Sequence, residues 1–146
     1  MSYDKKVLEL VSSLIELTNH DELKWMPVRE YLEEDKNEVL RKHLIYNHQY
    51  YDSNMFRSEP IINEYNSFTS SYKKGLIHLF QCQTGLGDSY YLATQQQKSS
   101  GLIKINSPFE FQNELKSLFS FVKNQVDNID SFIDVLIQEG KKLKSE

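Results

Sequence analysis

The chain has 146 residues, 39% hydrophobic and 26% charged, which is enough for one globular domain and too little for two with separate cores. Its single cysteine, Cys82, excludes an internal disulfide, and five glycines with three prolines argue against both a disordered linker and a glycine-rich phosphate cradle. No apolar run approaches the roughly 18 residues of a membrane span, and the N-terminus reads as an amphipathic helix rather than a signal-peptide core, so a cytoplasmic protein with no membrane partner is expected.

From Tyr3 to Thr18 the residues Val7, Leu8, Leu10, Val11, Leu14, Ile15 and Leu17 recur at three- and four-residue steps, which predicts a helix with one buried stripe. Leu23 to Met26 reads as a short strand stopped by Pro27, which cannot donate to a ladder. Trp25, the only tryptophan, is expected to plug one end of the core. Two charged helical stretches follow, Val28 to Lys36 and Glu38 to Tyr46. They run into the polar-aromatic segment Asn47 to Pro60, which has no period of either kind. Residues 28–60 together read as an insertion between the first strand and the main sheet, and long connections of this sort are usually functional or disordered.

Ile61 to Tyr72, Leu76 to Gln83, Ser89 to Gln95 and Leu102 to Ile105 have strand composition and are separated by short turns, so they predict an antiparallel meander. With the Leu23 strand the sheet has four to five strands. Ser107-Pro108-Phe109-Glu110 has the form of a capping box with proline in the first helical position, which predicts a helix from Pro108 to Gln125. Asp127 to Asp130 suggests a break, and Phe132, Ile133, Leu136 and Ile137 a second short helix ending near Gly140. The expected architecture is a single α+β domain over residues 1–146. Its N-terminal and C-terminal helices pack on one face of an antiparallel sheet, and the other face is left partly open. Ile77, Leu79, Leu92 and Ile103 from the strands join Val11, Leu14, Leu118 and Phe119 from the helices as the expected core.

The net charge of −4 is unevenly spread: residues 1–38 carry five Lys or Arg against ten Asp or Glu, and residues 39–104 carry seven against four. The cations that could displace counterions from a phosphate backbone are confined to Arg41, Lys42, Arg57 and the turn Lys73-Lys74, so nucleic acid is not an expected partner. His43 and His48 are five residues apart and do not share a helix face, and no other spacing suits a metal ion. Cys82 and His78 lack the companions of a nucleophile and its base, the carboxylates Glu30, Glu33 and Glu34 sit at ordinary helical spacing, and no cofactor is expected.

What remains is aromatic content, 12% of the chain, concentrated after residue 40. Arg41, His43, Tyr46, His48, Tyr50, Tyr51, Phe56 and Arg57 combine rigid aromatic area with polar orienting groups, the composition of a recognition surface, and are the candidate binding residues. The expected function is a small, acidic, non-enzymatic protein-interaction module that binds a protein partner through this segment and the open sheet face, with homodimerisation as one form. An inhibitor or immunity-type protein is a natural subclass, because an acidic binder can cover a basic cleft. The alternative is a small-ligand-binding protein with a pocket between sheet and insertion, lined by Trp25, Tyr65, His78 and Tyr90.

Overall fold

The structure is a computed structural model that describes residues 3–53, 61–84 and 87–145. In chain order it holds α1 (Tyr3–Asn19), β1 (Trp25–Pro27), α2 (Val28–Glu34), α3 (Glu38–Ser53), β2 (Ile61–Ile62), β3 (Phe68–Tyr72), β4 (Gly75–Thr84), β5 (Gly87–Gln95), β6 (Ile103–Lys104) and α4 (Gln112–Ser145). The strands form one antiparallel sheet in the order β1-β3-β4-β5-β6, with β2 paired to the far end of β4. The expected α+β meander with terminal helices is therefore the observed one.

Ile61 to Tyr72 is two strands rather than one. The Asn63 side chain accepts the Tyr65 backbone N–H at 3.1 Å and caps a single 3-10 turn, Glu64–Asn66, which lifts the chain out of the ladder between β2 and β3. Both strands return to β4, through Ile62 opposite Cys82 and Phe68 opposite Leu79.

Alternation along β4 divides the core into two layers. Ile77 and Leu79 face α1 and α4, where Val7, Val11, Leu14, Leu23, Trp25, Phe68, Leu92, Leu115, Leu118 and Val122 make one buried cluster. Leu76, Phe80 and Cys82 face the other way and pack with Val28, Tyr31, Leu40, Leu44, Ile62 and Tyr91. The second face is thus covered by α2 and α3, not partly open. Helical spacing explains it: Val28 and Tyr31 on α2, then Leu40 and Leu44 on α3, place two short apolar stripes on the side of the chain that follows β1. The charged flanks that made these helices read as an insertion are their solvent sides.

The C-terminal region differs from expectation in two respects. The capping box forms, with the Ser107 N–H donating to Glu110 Oε1 at 3.0 Å, yet it closes only a turn. Phe111 follows at φ 56°, in the left-handed region that a helix cannot continue through, and its ring packs on the core. The helix therefore starts at Gln112, and it runs unbroken for 34 residues through Asp127–Asp130. Ile103 is the one expected core residue that is exposed (58%), because β6 is only two residues long and Leu102 and Ile105 take the inward positions on either side of it.

Candidate functional site

The binding residues expected on α3 are divided by the helix rather than gathered. Leu40, Leu44 and Asn47 form its buried side, with His43 half-buried beside them. His43 Nε2 and the Tyr91 hydroxyl are hydrogen-bonded at 2.8 Å, and the imidazole lies 5.6 Å from the Phe80 ring, so His43 belongs to the interior of the α3–sheet contact. Arg41 and Tyr46 are on the solvent side, where the Arg41 guanidinium donates to the Leu32 carbonyl at 3.0 Å and ties α3 to α2. Tyr50 and Tyr51 lie at the end of α3 with side chains outside the described residues, as do Phe56 and Arg57 altogether.

His48 alone joins a polar group, in which Arg29 and Glu64 were not among the expected site residues and Tyr65 was expected in a different pocket. Its Nε2 is 3.6 Å from Glu64, whose carboxylate is also 3.8 Å from Arg29, and the Arg29 guanidinium stacks 5.0 Å over the Tyr65 ring. The group lines an open cleft of about 410 Å³ beside β2. These partners come from α2, α3 and the 3-10 turn, so no local spacing announces them. Its ion pairs are half-exposed and solvent-screened, the kind that contributes little to stability.

Behind α3 lies a buried polar chain. Gln95 Nε2 donates to the Lys98 and Ser100 carbonyls at 3.2 and 2.9 Å, which turns its Oε1 toward Asn37 Nδ2 at 2.9 Å and His78 Nε2 at 2.8 Å. His78 Nε2 must then carry the proton, and Nδ1 accepts from the Thr69 hydroxyl at 2.9 Å. Burial pushes the His78 pKa down to about 4, against the raising effect of the Gln95 bond and with a small lowering contribution from His43. Asn37 completes the chain by donating to the Tyr31 hydroxyl at 3.0 Å and accepting the Leu40 N–H at 3.0 Å, the N-cap of α3. Every polar group is satisfied within the protein, so the chain fixes how α3 sits on the sheet.

Trp25, Tyr65, His78 and Tyr90 do not line one pocket. Trp25 and Tyr90 are on the α1–α4 side, His78 is on the opposite face, and Tyr65 is exposed. Trp25 is the expected core plug, its indole N–H donating to Thr18 Oγ1 at 2.9 Å. A different cavity, about 390 Å³ and predominantly apolar, opens between α1 and the sheet, with Leu10, Leu14, Leu17, Leu23, Ile77 and Thr94 among its walls.

Among the described residues, exposed large apolar side chains concentrate on the outer half of α4. Leu115, Leu118 and Val122 are buried against the sheet, and from residue 127 onward every described side chain is exposed. Phe132 (63%), Leu136 (55%) and Leu143 (74%) stand in solvent with Ile133 and Ile137. Eighteen residues are five full helical turns, so Ile133 repeats the angular position of Leu115, and Leu136 that of Leu118. The face that the first half of α4 buries is continued by the second half, beyond the body of the protein. The apolar spacing on both sides of Asp127–Asp130 carried this signal, and reading a break there hid it.

Among the described residues no helix is long and apolar enough to cross a membrane, and no three His, Cys, Asp or Glu side chains gather closely enough to hold a metal ion. No family model matches the chain, and neither a curated protein nor a solved structure was found to match it.

Proposed function

We propose that the protein is a non-enzymatic protein-interaction module that docks a protein partner on the outer half of α4. The observation that carries this reading is the exposed apolar face from Phe132 to Leu143, continuous with the buried stripe of the same helix. Helices in proteins draw most of their stability from packing an amphipathic face, and contiguous exposed apolar surface marks interaction sites. The titratable groups in the core support the same reading: His78 is neutral and enclosed by its partners, and the Cys82 thiol is held protonated by burial. The acidic side chains Glu30, Glu33, Glu34 and Glu38 are exposed on α2 and α3, a second surface suited to a basic partner of the kind an inhibitor or immunity-type protein covers.

The test is native mass spectrometry of the tagged chain recovered from its host's lysate, run beside a Leu136→Asp variant. A stoichiometric polypeptide partner that the variant loses is the expected result. Recovery of the bare monomer in both samples overturns the reading.

A second reading rests on the apolar cavity between α1 and the sheet, whose size and lining suit a small apolar molecule. A medium-chain fatty acid that raises the melting temperature of the protein, but not that of a cavity-filling Leu14→Phe variant, would favour it.

A further inference from the structure

We propose that the outer half of α4 pairs with the same segment of a second copy of this chain, antiparallel and centred on Leu136; this rests on the reading of that segment as a docking face. Residues 127–145 form a free helical rod about 28 Å long at 1.5 Å per residue. Apolar surface of this kind calls for a cover, and three features of the segment point to itself.

Charge is the first. Residues 127–134 carry Asp127, Asp130 and Asp134 with no cation, whereas Lys141, Lys142 and Lys144 crowd the other end. A parallel pair would set like charges side by side along its whole length. An antiparallel pair sets the acidic start of one rod beside the basic end of the other, within a Debye length of roughly 8–10 Å.

Shape is the second. Residues equally distant from Leu136 are level with one another in an antiparallel pair, so Phe132 of one copy meets Gly140 of the other. A Cβ placed on Gly140 would meet nothing within 4 Å, so glycine is not required there by the fold of a single chain. Glycine within a helix is less favourable than alanine, because it has more backbone freedom to lose. A seat for the partner's phenylalanine ring accounts for its presence.

Area is the third. The exposed parts of Phe132, Ile133, Leu136, Ile137 and Leu143 offer of the order of 500 Å² per copy, close to the roughly 600 Å² per partner at the low end of specific interfaces. The deficit is made up where the partner's C-terminal end lands. That place is a cleft of about 550 Å³ at the base of the rod, formed by Thr18, Asp21, Lys24, Phe121, Gln125 and Phe132 among others. An interface of this size gives a reversible dimer rather than a permanent one.

Sedimentation equilibrium of the full chain over a hundredfold dilution series tests the proposal. The expected mass rises with concentration from 17.2 kDa toward twice that value, and added salt weakens the association. Leu136→Asp should weaken it at least tenfold without changing the melting of the body, since Leu136 lies outside both cores. Gly140→Leu, which raises helix propensity and apolarity, should also weaken it by filling the seat of Phe132. Spin labels on a variant carrying Ser145→Cys and Cys82→Ala report orientation, since the native thiol at the buried position 82 is then gone. The antiparallel pair separates them by roughly 27 Å, and a parallel one by about 10 Å. A chain that stays monomeric throughout overturns self-association, while docking of a different protein on α4 is decided separately by the capture experiment. A dimer that survives Leu136→Asp, one that Gly140→Leu tightens, or labels in close contact overturns the proposed pairing.

Discussion

Gln125 Oε1 accepts the Trp25 backbone N–H at 2.9 Å, and the same amide donates from Nε2 to the Leu23 carbonyl at 2.7 Å, so a side chain of α4 completes the edge of β1 as a neighbouring strand would. The pattern recurs thirteen residues earlier in α4. Gln112 accepts the Tyr90 N–H at 2.7 Å and donates to the Tyr90 carbonyl at 2.8 Å, while Asn106 Oδ1 accepts the Leu92 N–H at 2.9 Å. Side-chain amides thus satisfy the backbone of β5 where the short β6 does not reach. The helix is held across the sheet by directional bonds at both ends of its buried stripe as well as by apolar packing.

Replacing Gln125 with methionine keeps its length and removes these bonds. The Trp25 N–H and Leu23 carbonyl would then be left unpaired in the interior, at a cost of about 2–3 kcal/mol. Urea unfolding followed by Trp25 fluorescence should show this as a lower midpoint with an unchanged slope. A change under about 0.5 kcal/mol would mean that water replaces the amide at no penalty.

Ser89 presents the opposite case. Its Oγ is the one buried side-chain polar atom without a hydrogen-bond partner among the described residues, on the face of β5 that packs near Cys82. Ser89→Ala removes the unpaired group and should raise stability by about 1 kcal/mol. The measurement is again the urea midpoint. A fall in stability would reveal a partner for the hydroxyl in solution.

The sheet was legible because its strands have β-type composition and its turns are short; Ile77 and Leu79 against Phe80 and Cys82 fall on the two faces of β4. The role of α2 and α3 was not, because each offers the second core only two or three apolar residues, such as Val28 with Tyr31 and Leu40 with Leu44, among charges that dominate any window average. Local rules also misled at two points. The capping box at Ser107 is real, but the left-handed Phe111 behind it is set by tertiary packing, and the aspartates at 127 and 130 look like a break only if the eighteen-residue repeat of the apolar face is overlooked. Of the expected site residues, His43 turns toward the sheet, which sequence could not show because an aromatic-polar cluster on a helix has an inner and an outer side, and its hydrogen bond to Tyr91 lies 48 positions away in sequence.

Cys82 should be inert in the native state. Burial raises its pKa to about 12, with only a small opposing pull from Lys104, and the thiolate is the reactive species. At pH 8 a disulfide reagent such as Ellman's should leave the folded protein unmodified and titrate one thiol in denaturant. The slow rate under native conditions should follow global unfolding. Rapid modification of folded protein would mean that the β2–β4 end of the sheet opens locally.

His78 makes stability depend on pH in a defined window. Its pKa is about 4 in the folded protein and 6.5 when unfolded, so in that interval the unfolded state takes up a proton that the folded state refuses. The stability is therefore fully present above pH 6.5, falls as the pH drops through the window, and loses nothing further from this group below pH 4. At about 1.4 kcal/mol per pH unit the whole loss is of the order of 3 kcal/mol. Carboxylates titrate near the lower end, so the quantity to compare is the difference between the wild type and His78→Gln, whose amide can still meet Thr69 and Gln95. The variant should be less stable at pH 7, and the gap should narrow steadily toward pH 4 because only the wild type pays for protonation. Parallel curves for the two proteins would show that the imidazole titrates alike in both states, and the neutral, enclosed His78 would have to be abandoned.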